Sequence, residues 1–248
     1  MAEQLDALLS SVGFLSSFPT KASPSKRTPR YFGVAGMLLG LLLGLIWRIA
    51  SALFSPTVAA VFVVCADVLL TYGLHYDAIA DCGDGLFAHM KTERRLEVMR
   101  QPTIGSFGAI AILLVVLLRV TSLAEMRPST LLLVGLLGIS RSLMALGIGR
   151  GNYARPNGGM ASIFLGSMSE GADFLVVLPV LVVCVALVVF GVGFLAGVVA
   201  ILVAFGVTAY FYRRGVLLLG GYTGDLLGGS GILFETVALL VLSAKALR

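Results

Sequence analysis

The chain has 248 residues, of which 58% are hydrophobic and only 12% are charged, and its net charge is +5. An ordinary soluble domain carries about 25% charged residues, so this chain has too few to cover a soluble surface or to form a disordered protein. Its apolar runs are long and continuous, which excludes a transmembrane β-barrel with short alternating strands. The composition therefore predicts an all-α, polytopic transmembrane helical bundle in a lipid bilayer.

The predicted elements begin with an interfacial helix within residues 1–18, which Pro19 ends. Each later span is expected where about 20 mostly apolar residues follow one another, because this length crosses the hydrocarbon core. Two polar stretches, residues 75–104 and 150–172, separate these runs and are predicted to be loops. Residues 1–248 are thus predicted to form a single integral membrane domain of six to seven spans. The predicted spans are residues 31–54, 57–74, 105–124, 130–149, two spans within 174–212, and 226–244.

Positive charge is distributed unevenly between the two sides that these spans define. If the N-terminus is cytoplasmic, 12 of the 18 Lys and Arg residues fall on the side that contains both polar stretches, and three fall on the other side. An excess of Lys and Arg marks the cytoplasmic side of a membrane protein. The two stretches are therefore expected to be cytoplasmic catalytic loops, and the positive charge does not call for a nucleic-acid partner.

The most informative polar segment starts at His75 and carries Asp77, Asp81 and Asp84. On an α-helix these three aspartates fall within about 60° of one another, on one face. Carboxylates on one face repel each other unless a cation joins them, and oxygen-rich sites suit Mg²⁺, which often bridges carboxylates to phosphates. The segment therefore predicts a magnesium site, with His75 as a base or orienting group. A solvated turn between two spans is the alternative.

A phosphate group held by Mg²⁺ also needs cationic donors. Arg94 and Arg100 lie on a short predicted helix after the aspartates. Arg155 lies in a glycine-rich stretch, where the backbone can approach a ligand and the guanidinium can contact phosphate through two nitrogens. The alternative for these arginines is that they are basic residues of the cytoplasmic side and no more.

Charged residues near and within the spans need partners, because a lone charge is costly in lipid. Asp225 is either the N-cap of the last helix or a further metal ligand. Glu235 lies ten residues deeper, where its carboxylate must face protein, water or a cation. Asp67 and Arg119 are expected to pair inside the bundle. Arg141 is expected either to reach a substrate phosphate or to form a structural salt bridge.

Several blocks of the sequence, taken in order, resemble the signature of the cobalamin synthase family, the adenosylcobinamide-GDP ribazoletransferases. The resemblance runs over nearly the whole chain. The matching blocks are His75-x-Asp77-x-x-x-Asp81-x-x-Asp84-Gly85, Arg94-x-x-Glu97-x-Met99-Arg100, Gly105-x-x-Gly108, Ser140-Arg141, Tyr153-Ala154-Arg155-x-x-Gly158 and Thr223-Gly224-Asp225-x-x-Gly228.

The resemblance implies a Mg²⁺-dependent transferase of cobalamin biosynthesis in a bacterial inner membrane, with its active site facing the cytoplasm. Its expected substrates are adenosylcobinamide-GDP and α-ribazole or the 5′-phosphate of α-ribazole, with release of GMP. Whether the protein forms a homo-oligomer is left open at this point. The expected catalytic residues are His75, Asp77, Asp81 and Asp84, and the expected metal ligands are Asp77, Asp81, Asp84 and Asp225. The expected substrate-binding residues are Arg94, Arg100, Arg141, Tyr153, Arg155, Thr223 and Glu235.

Other functions stay open at this point. Aspartate-rich diphosphate sites also occur in CDP-alcohol phosphotransferases and in prenyltransferases. The motif of the CDP-alcohol phosphotransferases has an Arg after its Ala, where this chain has Ala88-His89. The motif of the prenyltransferases has an Asn before its first Asp, where this chain has Tyr76-Asp77. A small-solute transporter is a further alternative, in which charges within the spans would line a translocation path.

Overall fold

The computed structural model describes residues 2–148, 151–155, 158–168 and 171–247, and the regular structure of these residues is helical apart from one isolated β-bridge. Short 3-10 helices lie before the first span and in the stretch after the fourth. The α-helices among the described residues are α1 (Ala2–Leu15), α2 (Phe32–Leu53), α3 (Pro56–Leu70), α4 (Leu74–Phe87), α5 (Thr92–Val98), α6 (Ser106–Ala124), α7 (Thr130–Gly147), α8 (Gly171–Val192), α9 (Phe194–Leu219) and α10 (Gly224–Leu242).

Within the described ranges, six helices are long and apolar enough to cross a membrane, namely α2, α6, α7, α8, α9 and α10. Helices α3 and α4 form a further apolar pair, but they meet at an angle of 89°, as in a broken span or a re-entrant segment. The predicted all-α, multi-pass membrane bundle of six to seven spans is therefore confirmed.

The helix boundaries differ from the predicted ones in two places. Residues 75–104 are not a continuous loop, because they contain most of α4 and also α5, which matches the short helix predicted around Arg94. The apolar residues between the aspartates of α4 pack against neighbouring helices, and this packing stabilises the helix in spite of its polar composition. The predicted sixth span ends at residue 212, just before Arg213, yet α9 continues to Leu219 and is followed by Gly220, whose φ of +72° suits glycine. The exposed Arg213 can direct its charge away from the bundle without ending the helix.

Two other segments keep their expected outlines. Helix α1 ends at Leu15, a few residues before Pro19. Residues 150–172 contain a 3-10 helix, Met160–Phe164, between irregular segments, as far as this stretch is described, and α8 begins at Gly171. Their positions relative to a membrane surface stay predictions.

Helices α2 and α7 pack closely, because α2 carries a glycine at every third or fourth position on the side that faces α7. A Cβ atom on Gly36 would overlap the backbone carbonyl of Leu137, and one on Gly40 would overlap that of Leu133. Small residues of this kind let membrane helices approach each other, which matters because lipid provides little hydrophobic drive for helices to associate.

One end of the bundle gathers the polar segments, and we call it the polar end. Arg30, just before α2, forms an ion pair with Asp173 in the first turn of α8. The hydroxyl of Thr92 in α5 donates a hydrogen bond to the carbonyl of Leu218 near the end of α9, at 3.0 Å. Helix α4 lies at the same end, where it packs against α6 and α10.

A buried cluster of four charged side chains joins four helices inside the bundle, and we call it the ion cluster. Arg119 of α6 donates hydrogen bonds to Asp67 of α3 at 3.0 Å and to Glu235 of α10 at 2.9 Å. Arg141 of α7 pairs with the second oxygen of Glu235. All four side chains are at most 4% exposed. The predicted pairing of Asp67 with Arg119 is confirmed.

The ion cluster also corrects two sequence-based assignments. Arg141 forms the structural salt bridge, which was one of its two alternatives, and Glu235 is its partner. Both side chains are 1% exposed, and their charges are paired within the cluster. This arrangement does not place either residue against a substrate phosphate, because each already neutralises the other in a site closed to solvent.

Replacing Glu235 with Leu should destabilise the protein strongly, because Arg119 and Arg141 would then lack their shared carboxylate. Breaking a buried ion pair in this way costs about 3–5 kcal/mol. The matched control is Glu97→Leu, which removes an exposed ion pair with Arg94 and should cost less than about 1 kcal/mol. Thermal unfolding in detergent, followed by circular dichroism, compares the two variants, and equal losses would contradict the role given to the cluster.

Candidate active site

Helix α4 presents its three aspartates on the side that is not buried. Asp77 is exposed, and Asp81 and Asp84 are partly exposed, whereas the intervening residues, such as Ile79 and Cys82, are buried. The prediction that the three carboxylates share one helix face is confirmed. The buried side holds α4 in place, so the carboxylates project from a packed helix rather than from a mobile turn.

Asp84 joins α4 to the beginning of α6. Its Oδ2 accepts a hydrogen bond from the backbone N–H of Gly105 at 2.7 Å, and its Oδ1 accepts one from Gly108 at 2.8 Å. These N–H groups belong to the first turn of a helix, where they have no intrahelical partner and attract negative charge. A Cβ atom on Gly108 would overlap the Asp84 carboxylate. Asp84 therefore positions α6, and both of its oxygens are already engaged.

A short β-bridge brings the glycine-rich stretch to the beginning of α10. Tyr153 and Tyr222 form the bridge, with the N–H of Ala154 donating to the carbonyl of Tyr222 at 2.9 Å. A Cβ atom on Gly221 would overlap the carbonyl of Asn152, so glycine allows this close approach. The bridge is the reason that Tyr153 and its neighbours lie beside α10, although some 70 residues separate the two segments in the chain.

Arg155 and Asp225 form an ion pair at this junction. The same guanidinium donates a hydrogen bond to the carbonyl of Met99 at 3.2 Å, which ties it to the end of α5. Arg100 lies close enough to act electrostatically on Asp225 and is exposed. Two of the arginines assigned to phosphate binding thus lie beside one carboxylate, at the point where three segments of the chain meet.

The negative charges of the site lie close together. Asp77, Asp84 and Asp225 all repel the charge of Asp81, and Arg155 is the cation that offsets them. Repulsion among carboxylates that one cation only partly balances is the electrostatic condition under which a divalent cation binds.

A cavity of about 140 Å³ lies at the polar end and brings several of these residues together. One wall is polar and includes His75, Asp77, Arg155 and Asp225. The rest of the lining forms an apolar wall of mainly aromatic and aliphatic side chains. The residues of the apolar wall and the remaining lining are Phe14, Phe32, Leu74, Ala78, Met144, Ile148, Tyr153, Ala161, Phe164, Gly224, Leu227 and Gly228.

Three residues at the cavity have buried polar atoms that lack partners within the described part of the chain, namely His75, Tyr153 and the Nε of Arg155. Neither ring nitrogen of His75 makes a hydrogen bond, although the side chain is only 2% exposed, and the hydroxyl of Tyr153 is also unsatisfied. Burial raises the pKa of the Tyr153 hydroxyl above its usual value, although the positive charge of Arg155 opposes the rise. The hydroxyl therefore stays protonated at neutral pH and can donate to a ligand. Buried polar groups without partners are rare and indicate a ligand or water.

Two further assigned residues lie away from the cavity. Thr223 is fully buried, and its hydroxyl accepts a hydrogen bond from the N–H of Leu226 at 3.1 Å, so it is the N-cap of α10. Arg94 is exposed on α5 and pairs with Glu97 at 2.8 Å. The structure gives these two residues a capping role and a surface ion pair, respectively, and neither lines the cavity.

Among the residues that the structure describes, no three His, Cys, Asp or Glu side chains lie close enough to form a ready metal site. The donor chemistry nevertheless suits Mg²⁺, because it consists of carboxylate oxygens at a partly exposed position. The carboxylates of Asp77 and Asp81 make no ion pair or hydrogen bond among the described residues, and the carboxylate of Asp225 has its pair with Arg155. These three carboxylates fit a cation better than Asp84 does.

Sequence reasoning missed two structural features of the site. Arg95 is buried and donates to the carbonyls of Gly85 at 2.6 Å and Leu86 at 3.0 Å, where it caps the end of α4. Its place in the last turn of a short helix carried no signal of this role. The apolar wall was also missed, because its members come from distant parts of the chain and are indistinguishable in sequence from other apolar core residues.

The chain is similar to known proteins along most of its length. A family model described as cobalamin-5-phosphate synthase matches residues 7–243. A relative from Shewanella piezotolerans named adenosylcobinamide-GDP ribazoletransferase is 30% identical over 253 residues, covering 97% of this chain and 95% of its own length. Relatives of the same name from Escherichia coli O45:K1 and Shigella boydii serotype 4 are each 34% identical over 215 residues, covering 85% of both chains. No solved structure matches.

Asp81 and Asp84 should respond differently to replacement by Asn in the metal-free protein. Asp81→Asn removes a repelled charge and should keep or raise the melting temperature. Asp84→Asn weakens the anchoring of α6, because an amide nitrogen cannot accept from one of the two backbone N–H groups, and it should cost about 1–2 kcal/mol. Thermal unfolding with a chelator present measures both variants. A larger loss for Asp81→Asn would contradict this division of roles.

Proposed function

The chain belongs to the cobalamin-5-phosphate synthase family, and on that premise we propose that it transfers adenosylcobinamide phosphate from adenosylcobinamide-GDP to α-ribazole or its 5′-phosphate. In this reaction a ribose hydroxyl attacks the phosphorus that carries the corrinoid. A new phosphorus–oxygen bond forms, the anhydride bond to GMP breaks, and GMP leaves with the bond's electron pair. The hydroxyl proton passes to a base, and the product is adenosylcobalamin or its phosphate.

One observation carries the proposal: a single cavity at the polar end has carboxylates, a guanidinium and an unsatisfied histidine on the same wall. Displacement at a phosphorus needs groups that neutralise a diphosphate, groups that stabilise the leaving phosphate and a group that accepts a proton. The wall contains side chains suited to each of these tasks. Their positions also coincide with the blocks of sequence that resemble the family.

We assign the binding of Mg²⁺ to Asp77, Asp81 and Asp225. When bound, the ion would neutralise the diphosphate and the departing GMP. Asp84 is left out of this set because both of its oxygens already accept hydrogen bonds from the first turn of α6. Its task is to keep that turn against α4, and so to keep the other carboxylates in place.

Arg155 and Arg100 are the cations assigned to the diphosphate. Arg155 is held by Asp225 and by the carbonyl of Met99, so its guanidinium is already oriented before a substrate binds. Its Nε has no partner among the described residues and can donate to a phosphate oxygen. Arg100 is exposed and lies within electrostatic range of Asp225, a position that suits the phosphate of the departing GMP.

His75 and Asp77 are the cavity-lining groups that we assign as candidates to accept the hydroxyl proton, because the carboxylate of Asp225 is paired with Arg155. His75 has both ring nitrogens unsatisfied, whereas Asp77 is exposed and shares the helix face of the metal ligands. Comparison of the pH–rate profiles of His75→Asn and Asp77→Asn distinguishes them, because loss of the base removes the ascending limb of the profile.

We also propose that the polar end faces the cytoplasm of a bacterial cell and that the protein lies in the inner membrane. The distribution of Lys and Arg supports this orientation. The soluble nucleotide product would then be released on the cytoplasmic side.

The other candidate functions receive less support. The family match and the names of the relatives point away from CDP-alcohol and prenyl transfer. The four buried charges of the ion cluster, which transport would need along a path, are instead paired with each other, with Arg119 at 2.9–3.0 Å from Glu235 and Asp67. The transport hypothesis has no specific observation in its favour.

Purified protein in detergent should release GMP from adenosylcobinamide-GDP and α-ribazole, and only with a divalent cation present. Asp81→Asn should lower the rate by at least about 100-fold, because it removes a charged ligand of the cation. Chromatographic quantification of GMP measures the reaction. The matched control is Asp6→Asn in the exposed part of α1, which should keep the full rate.

Two results would contradict the proposal. Absence of GMP release by folded wild-type protein at micromolar concentration would refute the transferase assignment. Full activity of Asp81→Asn, or an unchanged rate with a chelator, would refute the metal assignment while leaving the transferase reaction in place.

A further inference from the structure

Three phenylalanine rings from separate parts of the chain form the apolar wall of the cavity, and we call them the aromatic wall. Phe14 of α1 and Phe32 of α2 are stacked, with ring centroids 5.8 Å apart and planes within 4°. Phe164, from the stretch between α7 and α8, contacts Phe14 edge-on at 4.9 Å and Phe32 at 5.6 Å. All three rings line the cavity. A flat aromatic ligand could extend this arrangement of rings.

The size of the cavity limits what can bind against the aromatic wall. Its volume is about 140 Å³, and an apolar protein cavity of about 150 Å³ binds one benzene ring. The cavity itself thus suits one six-membered ring, and the rest of a larger ligand would extend beyond it, past the polar wall. The cavity is far too small for a corrin macrocycle or for a guanosine with its phosphates.

The polar wall makes the cavity amphipathic. His75 and Tyr153 offer hydrogen-bonding atoms without partners in the described residues, and His75 is almost fully buried at the cavity. Asp77 and Asp225 lie on this same wall. An occupant with one apolar ring and one polar end would therefore satisfy both walls at once.

We propose that the aromatic wall of Phe14, Phe32 and Phe164 binds the base of the acceptor substrate and determines its specificity. This inference rests on the proposed function, in which the acceptor is a nucleoside of dimethylbenzimidazole. The carbocyclic ring of that base has no polar atom and enters the aromatic wall. The imidazole half and the ribose then stay at the polar wall, which directs a ribose hydroxyl toward the carboxylates and the donor's phosphorus.

A second cavity, of about 450 Å³, lies between α7, α8, α9 and α10 and includes Phe205 in its lining. No acidic side chain is among its lining residues as far as the chain is described. A nucleoside bound there would place its ribose away from Asp77 and Asp225. Met144 and Leu227 line both cavities and lie between them. Phe205 therefore serves as the control for binding in the wrong cavity.

Direct binding tests the inference without any group transfer. Equilibrium dialysis of radiolabelled α-ribazole against detergent-solubilised protein, with neither donor nor divalent cation, gives its Kd. Phe164→Leu and Phe14→Ala should each raise this Kd by about tenfold or more, because each removes a ring contact from a buried aromatic ligand. Free dimethylbenzimidazole should displace α-ribazole from the wild type, and ribose should not.

Two control variants separate binding from folding. Phe205→Leu should leave the Kd within about twofold of the wild type, because Phe205 lies in the second cavity. Phe234→Leu removes an equally buried ring that does not line either cavity and should also leave the Kd unchanged. A rise in Kd confined to the aromatic-wall variants supports the inference.

Other outcomes overturn it. Wild-type affinity in both aromatic-wall variants, equal losses in Phe234→Leu, a loss confined to Phe205→Leu, or no binding by the wild type would each refute the assignment of the base to this wall. The proposed function is judged separately by GMP release. Wild-type turnover with an unchanged KM for α-ribazole in Phe164→Leu would refute this inference alone, whereas α-ribazole binding without GMP release would refute the function alone.

Discussion

The pairing of four charges inside the bundle is the constraint on which the other features depend. A charge without a partner in hydrocarbon is costly, so Asp67, Arg119, Arg141 and Glu235 must meet, and they belong to four different helices. Their hydrogen bonds determine how α3, α6, α7 and α10 are rotated about their axes. Apolar packing alone tolerates many such rotations, because lipid is as apolar as the side chains that face it.

Helix α4 depends on the ion cluster through two neighbouring residues. The hydroxyl of Tyr76 donates a hydrogen bond to Asp67 at 3.0 Å. His75 lines the cavity and is within electrostatic range of Arg141 and Glu235. The cluster therefore supports the helix whose opposite face presents the aspartates. A closed, neutral cluster and an open, negatively charged site lie on the two sides of one short helix.

The polar end combines chemistry that can be predicted from sequence with contacts that cannot. The shared face of the three aspartates of α4 was predictable, because their spacing follows the helical period, which is a local property. The pair of Arg155 with Asp225 was not predicted, because it depends on the bridge between Tyr153 and Tyr222. The substrate-binding role expected of Glu235 conflicts with its position in the ion cluster. The sequence places Glu235 within a span, but it does not indicate which helices supply its partners.

The sequence by itself determined that the chain is a helical membrane bundle, that its aspartates share a face and that it resembles one enzyme family. Those conclusions rest on composition, on periodicity and on ordered motifs, all of which are read along the chain. Tertiary structure decided which charges neutralise each other, that Asp84 anchors α6, and that Phe14, Phe32 and Phe164 meet in one wall. The reason is physical: a side chain's partner across a bundle is chosen by the relative rotation and depth of whole helices, and these depend on all the contacts together.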